Sequence, residues 1–181
     1  MTLAQVQATI ALITFLITTW AGLTIAVALL LPKNAGKAES FIAESPFKSF
    51  LTGLAMLLPF AITVAMVRLP GGGAKLLGFL GIVALGAALA IGAAGMSLLL
   101  GRRISDMAGD RPGFSSLVRG GIVYSLAIGF PLIGWFGFLP VAIVISLGSG
   151  TRALLRASQA ARPPISPLNS DYETSGSHGA I

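Results

Sequence analysis

The stretch KLLGFLGIVALGAALAIGAAGMSLLLG, residues Lys75–Gly101, decides the fold of this chain. It has no charge after Lys75 and is longer than the about 20 apolar residues that a membrane-spanning helix needs. Small residues let helices approach closely in lipid, so we predict a central helix with neighbours on both sides. Ala and Gly are also common in membrane helices generally. The small residues form two nearly opposite ribbons: Gly81, Ala84, Ala88, Gly92 and Gly95 on one face, and Gly86, Ala90, Ala94 and Ser97 on the other.

The composition indicates an all-α integral membrane protein. The 181 residues are 55% hydrophobic and only 10% charged, whereas soluble domains have about 25% charged residues. The net charge of +6 comes from residues in short loops beside apolar segments, where the positive-inside rule places them. We therefore expect no nucleic-acid partner. The chain has no Cys, which excludes disulfides and thiolate chemistry.

Two apolar segments precede the central stretch. The first, Ala8–Leu31, lacks a basic start and is too long for the apolar core of a signal peptide, so a retained membrane helix is predicted. A polar loop is predicted over residues 32–45. Ser45 followed by Pro46 is a good helix start, with a hydroxyl cap and then proline. The second span is predicted over residues 46–68, kinked at Pro59, and the third over residues 75–101.

The last apolar region, residues 114–147, is too long for one span and contains two prolines. Its middle, GFPLIGWFGFLP, is typical of the tip of a helical hairpin, with Pro131, Gly134 and Trp135 at the turn. We predict arms over residues 114–130 and 138–156, which either span fully or form a re-entrant pair. The fold class is thus three transmembrane helices plus a C-terminal helical hairpin (five segments, alternatively four spans). Residues 1–156 form the membrane domain and residues 157–181 a disordered tail.

The positions of Lys and Arg favour the hairpin. With a hairpin, ten basic residues lie on one side of the membrane and two on the other, a strong positive-inside bias. We expect a multi-pass protein of the bacterial plasma (inner) membrane with its N-terminus outside and its C-terminus in the cytoplasm. Six juxtamembrane basic residues are expected to face anionic lipid headgroups: Arg102, Arg103, Arg111, Arg119, Arg152 and Arg156.

The sequence offers no chemistry for catalysis. No ionisable residue lies deep in a predicted span, although proton relays and substrate sites in membranes normally need one. Asp106 and Asp110 have the spacing of metal ligands, but the arginines beside them favour ion pairs. The single histidine, His178, lies in the tail. We expect no catalytic residues, no metal and no cofactor, and therefore no enzyme.

Three motifs carry a resemblance to a known family. The run SPFKSFLTGLAMLLPFAI contains a P-x-x-S-x-x-x-G helix start, the Gly/Ala-rich span ends in LLGRRI, and IGFPLIGWFGFLPVAIVISLGSGTRALL follows. Together, Ser45–Leu155 resembles the membrane region of bacterial polymer-forming, bactofilin-type cytoskeletal proteins. The β-helix domain that polymerises in that family has no counterpart here. The resemblance implies a membrane module, an anchor or scaffold, and not filament formation.

Two functions remain open at the level of sequence. The first is a scaffold or assembly subunit that packs through small-residue faces against other membrane proteins or a second copy of itself. The alternative is a subunit of a small-solute or ion transporter or channel, lined by Thr, Ser and broken helix backbone.

Overall fold

Helices account for almost all of residues 3–111, 113–130, 132 and 134–160, which are the residues that the computed structural model describes. Four helical segments are long and apolar enough to cross a membrane: Leu3–Leu30, Pro46–Arg68, Gly72–Ala108 and Gly134–Gln159. The part of the chain that the structure describes is therefore helical, as in a membrane-embedded protein. The helices in chain order are α1 (Leu3–Leu30), α2 (Pro32–Glu44), α3 (Pro46–Arg68), α4 (Gly72–Ala108), α5 (Phe114–Gly129) and α6 (Leu139–Ala160), with a π-helical turn at Gly134–Phe138 before α6.

Helix α2 corrects the prediction of a polar loop over residues 32–45. Ala35, Ala38, Phe41 and Ile42 recur at helical spacing and are buried, which is the pattern of an amphipathic helix. Pro32 lies in the first turn of α2, where proline is well tolerated.

The long central helix α4 extends beyond its predicted end at Gly101. The helix continues through the arginine pair to Ala108 and is 37 residues long in all. Gly109 follows it with a left-handed φ of 71°. Gly109 is thus a typical glycine stop for a helix. Helix α4 packs against each of α1, α2, α3, α5 and α6, and it is the centre of the molecule.

Several other predicted boundaries shift. Helix α1 begins at Leu3 rather than Ala8, and α6 continues to Ala160, so residues 157–160 are helical rather than disordered; the remainder of the predicted tail lies outside the described residues. Helix α3 runs through Pro59 without interruption, and the side chain of Ser45 makes no capping hydrogen bond.

The two arms of the predicted hairpin do not pack along each other. Both α5 and α6 pack on α4, and they meet mainly through the π-helical turn and the ring pair Tyr124–Phe138. Helix α5 also packs on α1: a β-carbon at Gly121 would lie 3.1 Å from Ile25, and one at Gly129 would lie 2.6 Å from Ile17. Since Ile17 is about 20 Å along α1 from Leu30, α5 ends near the middle of α1.

Candidate interaction site around α2

At three crossings, two residues four apart on one helix meet two such residues on another, and the helix backbones are in direct contact. A β-carbon at Gly92 would lie 2.6 Å from the Cα of Ser146, and one at Gly150 would lie 3.0 Å from the backbone nitrogen of Gly92. Real β-carbons do not approach this closely, so these crossings require glycine. The contacting pairs are Ala88 and Gly92 of α4 with Ser146 and Gly150 of α6, Ser97 and Gly101 of α4 with Ser116 and Gly120 of α5, and Ser49 and Gly53 of α3 with Val144 and Gly148 of α6.

The small residues predicted on α4 have different surroundings. Gly92 lies against α6 as described, and a β-carbon at Gly95 would lie 2.8 Å from both the Cβ of Ala38 and the backbone nitrogen of Glu39. Gly81 faces Thr63 of α3. Ala88 is buried, whereas Ala84 is exposed.

The second ribbon of α4 is divided in the same way. Ala94 and Ser97 are buried and Ala90 is partly buried, but Gly86 is exposed and has open space around it. The half of α4 towards Ala108 is therefore enclosed by neighbours, while Ala84 and Gly86 in the other half remain uncovered.

Helix α2 sits at the enclosed half and carries a buried carboxylate. Glu39 lies 2.9 Å from the guanidinium of Arg102, measured from Oε1 to Nε, and the side chains are 5% and 57% exposed. Burial raises the pKa of the Glu39 carboxyl above its usual value, and the positive charge of Arg102 only partly offsets this effect. The ion pair joins α2 to the end of α4.

A buried aromatic ring joins α2 to α6. The guanidinium carbons of Arg152 and Arg156 lie 4.5 and 4.6 Å from the centroid of the Phe41 ring, within the range of cation–π attraction. Arg152 donates a long hydrogen bond of 3.4 Å to the hydroxyl of Ser49. Ser49 in turn donates to the carbonyl of Phe41 at 3.2 Å, so the start of α3 belongs to the same cluster.

The other basic residues predicted at the membrane surface are exposed. Arg119 pairs with Asp110 at 2.9 Å, with both side chains about half exposed. Arg103 and Arg111 are exposed as well. The expected ion pairing of Asp110 therefore occurs, but with Arg119 rather than with the arginines nearest to it in the sequence. In the part of the chain that the structure describes, no group of acidic or histidine side chains could hold a metal.

The predicted hairpin tip forms an apolar surface. Gly134 is buried and Trp135 is 49% exposed; Pro131 lies outside the described residues. A β-carbon at Gly134 would lie 2.9 Å from the carbonyl oxygen of Ile128, so the π-helical turn depends on this glycine. Beside it is an open groove of about 450 Å³ lined by Val123, Leu126, Ala127, Phe130, Gly134 and Phe138.

Part of this site, a helix crossing, coincides with a motif in the sequence. Ser49 and Gly53 belong to the P-x-x-S-x-x-x-G motif, which here forms a helix crossing. Ser116 and Gly120 have the same spacing and form another crossing, which the predictions from sequence do not include. No local pattern in the sequence indicates that Glu39 contacts Arg102. The same holds for the contact of Phe41 with two arginines more than a hundred residues away. No family model, curated protein or solved structure significantly matches the chain.

Proposed function

We propose that this chain is a non-enzymatic integral membrane scaffold or assembly subunit, multi-pass in a bacterial plasma membrane. The observation that carries the proposal is the tight interior around α4, where small residues bring helix backbones into contact. In the described part of the chain, the buried polar side chains of the membrane-spanning helices are Ser and Thr. Such an interior fixes a shape and provides no charged group to relay protons or bind a charged solute.

An uncovered face in the first half of α4 is the proposed docking surface. Ala84, Gly86 and Ala87 are exposed there, and a β-carbon at Gly86 would have no neighbour within 4 Å. Small residues on one face permit the close approach of another helix in lipid. The proposed occupant is a transmembrane helix of another membrane protein.

The proposed orientation places α2, the end of α4 and the end of α6 at the cytoplasmic face. The contacts of Glu39 with Arg102 and of Phe41 with Arg152 support this, because they gather three basic regions around one helix. The α5–α6 pair is proposed to be re-entrant. Its support is the length of α5, 16 residues or about 24 Å, which is less than the about 30 Å of the hydrocarbon core.

Purification from native membranes with mass spectrometry of the retained proteins tests this function. We expect one partner to be retained by the wild type and to be reduced about tenfold by Gly86→Leu, since each 1.4 kcal/mol of lost packing is tenfold in affinity. Gly22→Leu is the matched control, because Gly22 is exposed on α1 with nothing within 4 Å. Loss of the partner in both variants would contradict the docking surface.

Solute flux separates the scaffold from the transporter alternative. A scaffold leaves the uptake and efflux of ions and small solutes unchanged when the gene is deleted. If deletion changes flux and no partner is retained, the chain is a transport protein and the scaffold proposal is wrong.

A further inference from the structure

We propose that Arg152 and Arg156, held against the ring of Phe41, form a binding site for one doubly charged phosphate group. The group is either the phosphate monoester of a lipid headgroup or free inorganic phosphate. This inference rests on the proposed function in one respect, which is that the basic surface around α2 lies at the membrane. It adds the chemistry of the group that this surface would bind.

The geometry brings two positive charges to one aromatic ring. Arg152 and Arg156 are one helical turn apart on α6, and both guanidinium carbons lie within 4.6 Å of the same ring centroid. Residues four apart share a helix face. Phe41 is only 4% exposed, because these arginines and the helices around it cover the ring. Contact with this ring restricts both guanidiniums, which limits the conformational freedom that they would lose on binding an anion.

Neither charge is neutralised within the described part of the chain. The salt bridges there belong to Arg102 and Arg119, and the polar contact of Arg152 is its long hydrogen bond to Ser49. A guanidinium has five N–H donors, so most donors of both arginines are unfilled. Like charges four residues apart also repel each other. A bound anion would therefore both satisfy the donors and remove the repulsion.

The properties of the cluster match a phosphate monoester better than other common anions. Two guanidiniums supply two positive charges, and such a phosphate carries nearly two negative charges and three strong acceptor oxygens at neutral pH. Arginine binds phosphate through two parallel hydrogen bonds. Arg156 is exposed and Arg152 is partly exposed, so the group can be reached from the membrane surface.

The test uses the full chain in phosphatidylcholine nanodiscs that contain either phosphatidic acid, a phosphate monoester, or phosphatidylglycerol, a diester. Native mass spectrometry counts the anionic lipids retained, and calorimetry in detergent measures the binding of inorganic phosphate. We expect one retained phosphatidic acid and about tenfold weaker retention of phosphatidylglycerol, as expected when one of two charge-assisted contacts is lost. Phosphate binding in detergent would assign the free ion as a ligand of the same site.

The variants are Arg156→Gln and Phe41→Leu, and the matched control is Arg103→Gln. Arg103 is exposed and its substitution removes the same charge away from Phe41. We expect about tenfold weaker phosphate-group binding in Arg156→Gln and in Phe41→Leu, and unchanged binding in the control. Because Phe41 is buried and its variant could misfold, Arg156→Gln decides the test.

Equal loss in Arg156→Gln and Arg103→Gln, or no preference for the monoester, overturns the site. Partner retention, measured for the same variants purified from native membranes, keeps the two proposals separate. Phosphate binding without a protein partner supports this site and contradicts the scaffold, whereas a retained partner without phosphate binding does the reverse.

Discussion

At the scale of single residues, Glu39 is the charged side chain that the described part of the chain buries. Burial raises the pKa of Glu39 above 4.5, with Arg102 acting in the opposite direction. A raised pKa in the folded state means that folding favours the protonated carboxyl. The contribution of this group to stability is therefore full below the unfolded pKa of 4.5 and is lost as pH rises through the raised pKa of the folded protein.

Substitutions of Arg102 and of Glu39 should have opposite effects on stability. Arg102→Gln leaves a buried carboxylate without its counter-ion, so we expect a loss of about 1–3 kcal/mol in the free energy of unfolding at about pH 8, and a smaller loss at about pH 5, where protonation of Glu39 becomes easier. Glu39→Gln should be neutral or stabilising at about pH 8 and should flatten the pH dependence. Thermal unfolding in detergent at both pH values measures these effects.

Arg103→Gln is the control for that pair, because Arg103 is exposed and loses the same charge. Its stability should stay within about 0.5 kcal/mol of the wild type at both pH values. If Arg102→Gln and Arg103→Gln were equally stable, the Glu39–Arg102 pair would have no role in holding α2.

At the scale of helices, the crossing of α4 with α6 should be sensitive to a single methyl group. Gly92→Ala places a β-carbon 2.6 Å from the Cα of Ser146, so we expect a loss of about 1–3 kcal/mol through overpacking. Gly86→Ala, in open space on the same helix, should be neutral or slightly stabilising because Ala favours helix. Thermal unfolding of the two variants measures the difference, and equal stabilities would contradict the backbone contact.

The sequence predicted the helices that hydropathy marks, and it missed those that depend on tertiary contacts. Helix α2 has a low mean hydropathy because it carries Lys33, Lys37 and Glu44, and the polar composition obscured the helical spacing of its buried residues. The arginines after Gly101 predict a membrane boundary, but a helix can continue beyond such a boundary, as α4 does. Charge patterns locate surfaces and do not end helices.

The partners of the central helix could be predicted only in part. Small-residue spacing indicated that α4 has close neighbours, and Gly92 and Gly95 do have them. Spacing alone cannot tell a covered face from an uncovered one, so Ala84 and Gly86 were expected to pack and are exposed. The cluster of Phe41 with α6 required the relative placement of distant helices, which no local pattern contains.

At the scale of the whole molecule, the helices form a dense half around α2 and a more open half away from it. Residues 3–12 of α1 are exposed, as is most of the apolar surface between Leu76 and Leu80 on α4. In a bilayer, lipid covers such surfaces. A helix can face lipid because its backbone polar groups are already paired within the helix. The tip between α5 and α6 lies between these halves, beside the middle of α1.

Cysteine labelling can locate that tip, because the chain has no cysteine of its own. The three positions are Met107, Phe136 and Leu69, which are 81%, 82% and 52% exposed. In intact cells, an impermeant maleimide should label Leu69→Cys from outside, and Met107→Cys only after the cells are opened. Phe136→Cys should react slowly from both faces, because a re-entrant tip lies within the hydrocarbon and lacks the water that a thiolate needs. A permeant maleimide in detergent, where all three should react, controls for folding. Rapid labelling of Phe136→Cys from outside would mean that α5 and α6 cross the membrane fully, with the close packing of Gly129 on Ile17 near the outer surface rather than at mid-depth.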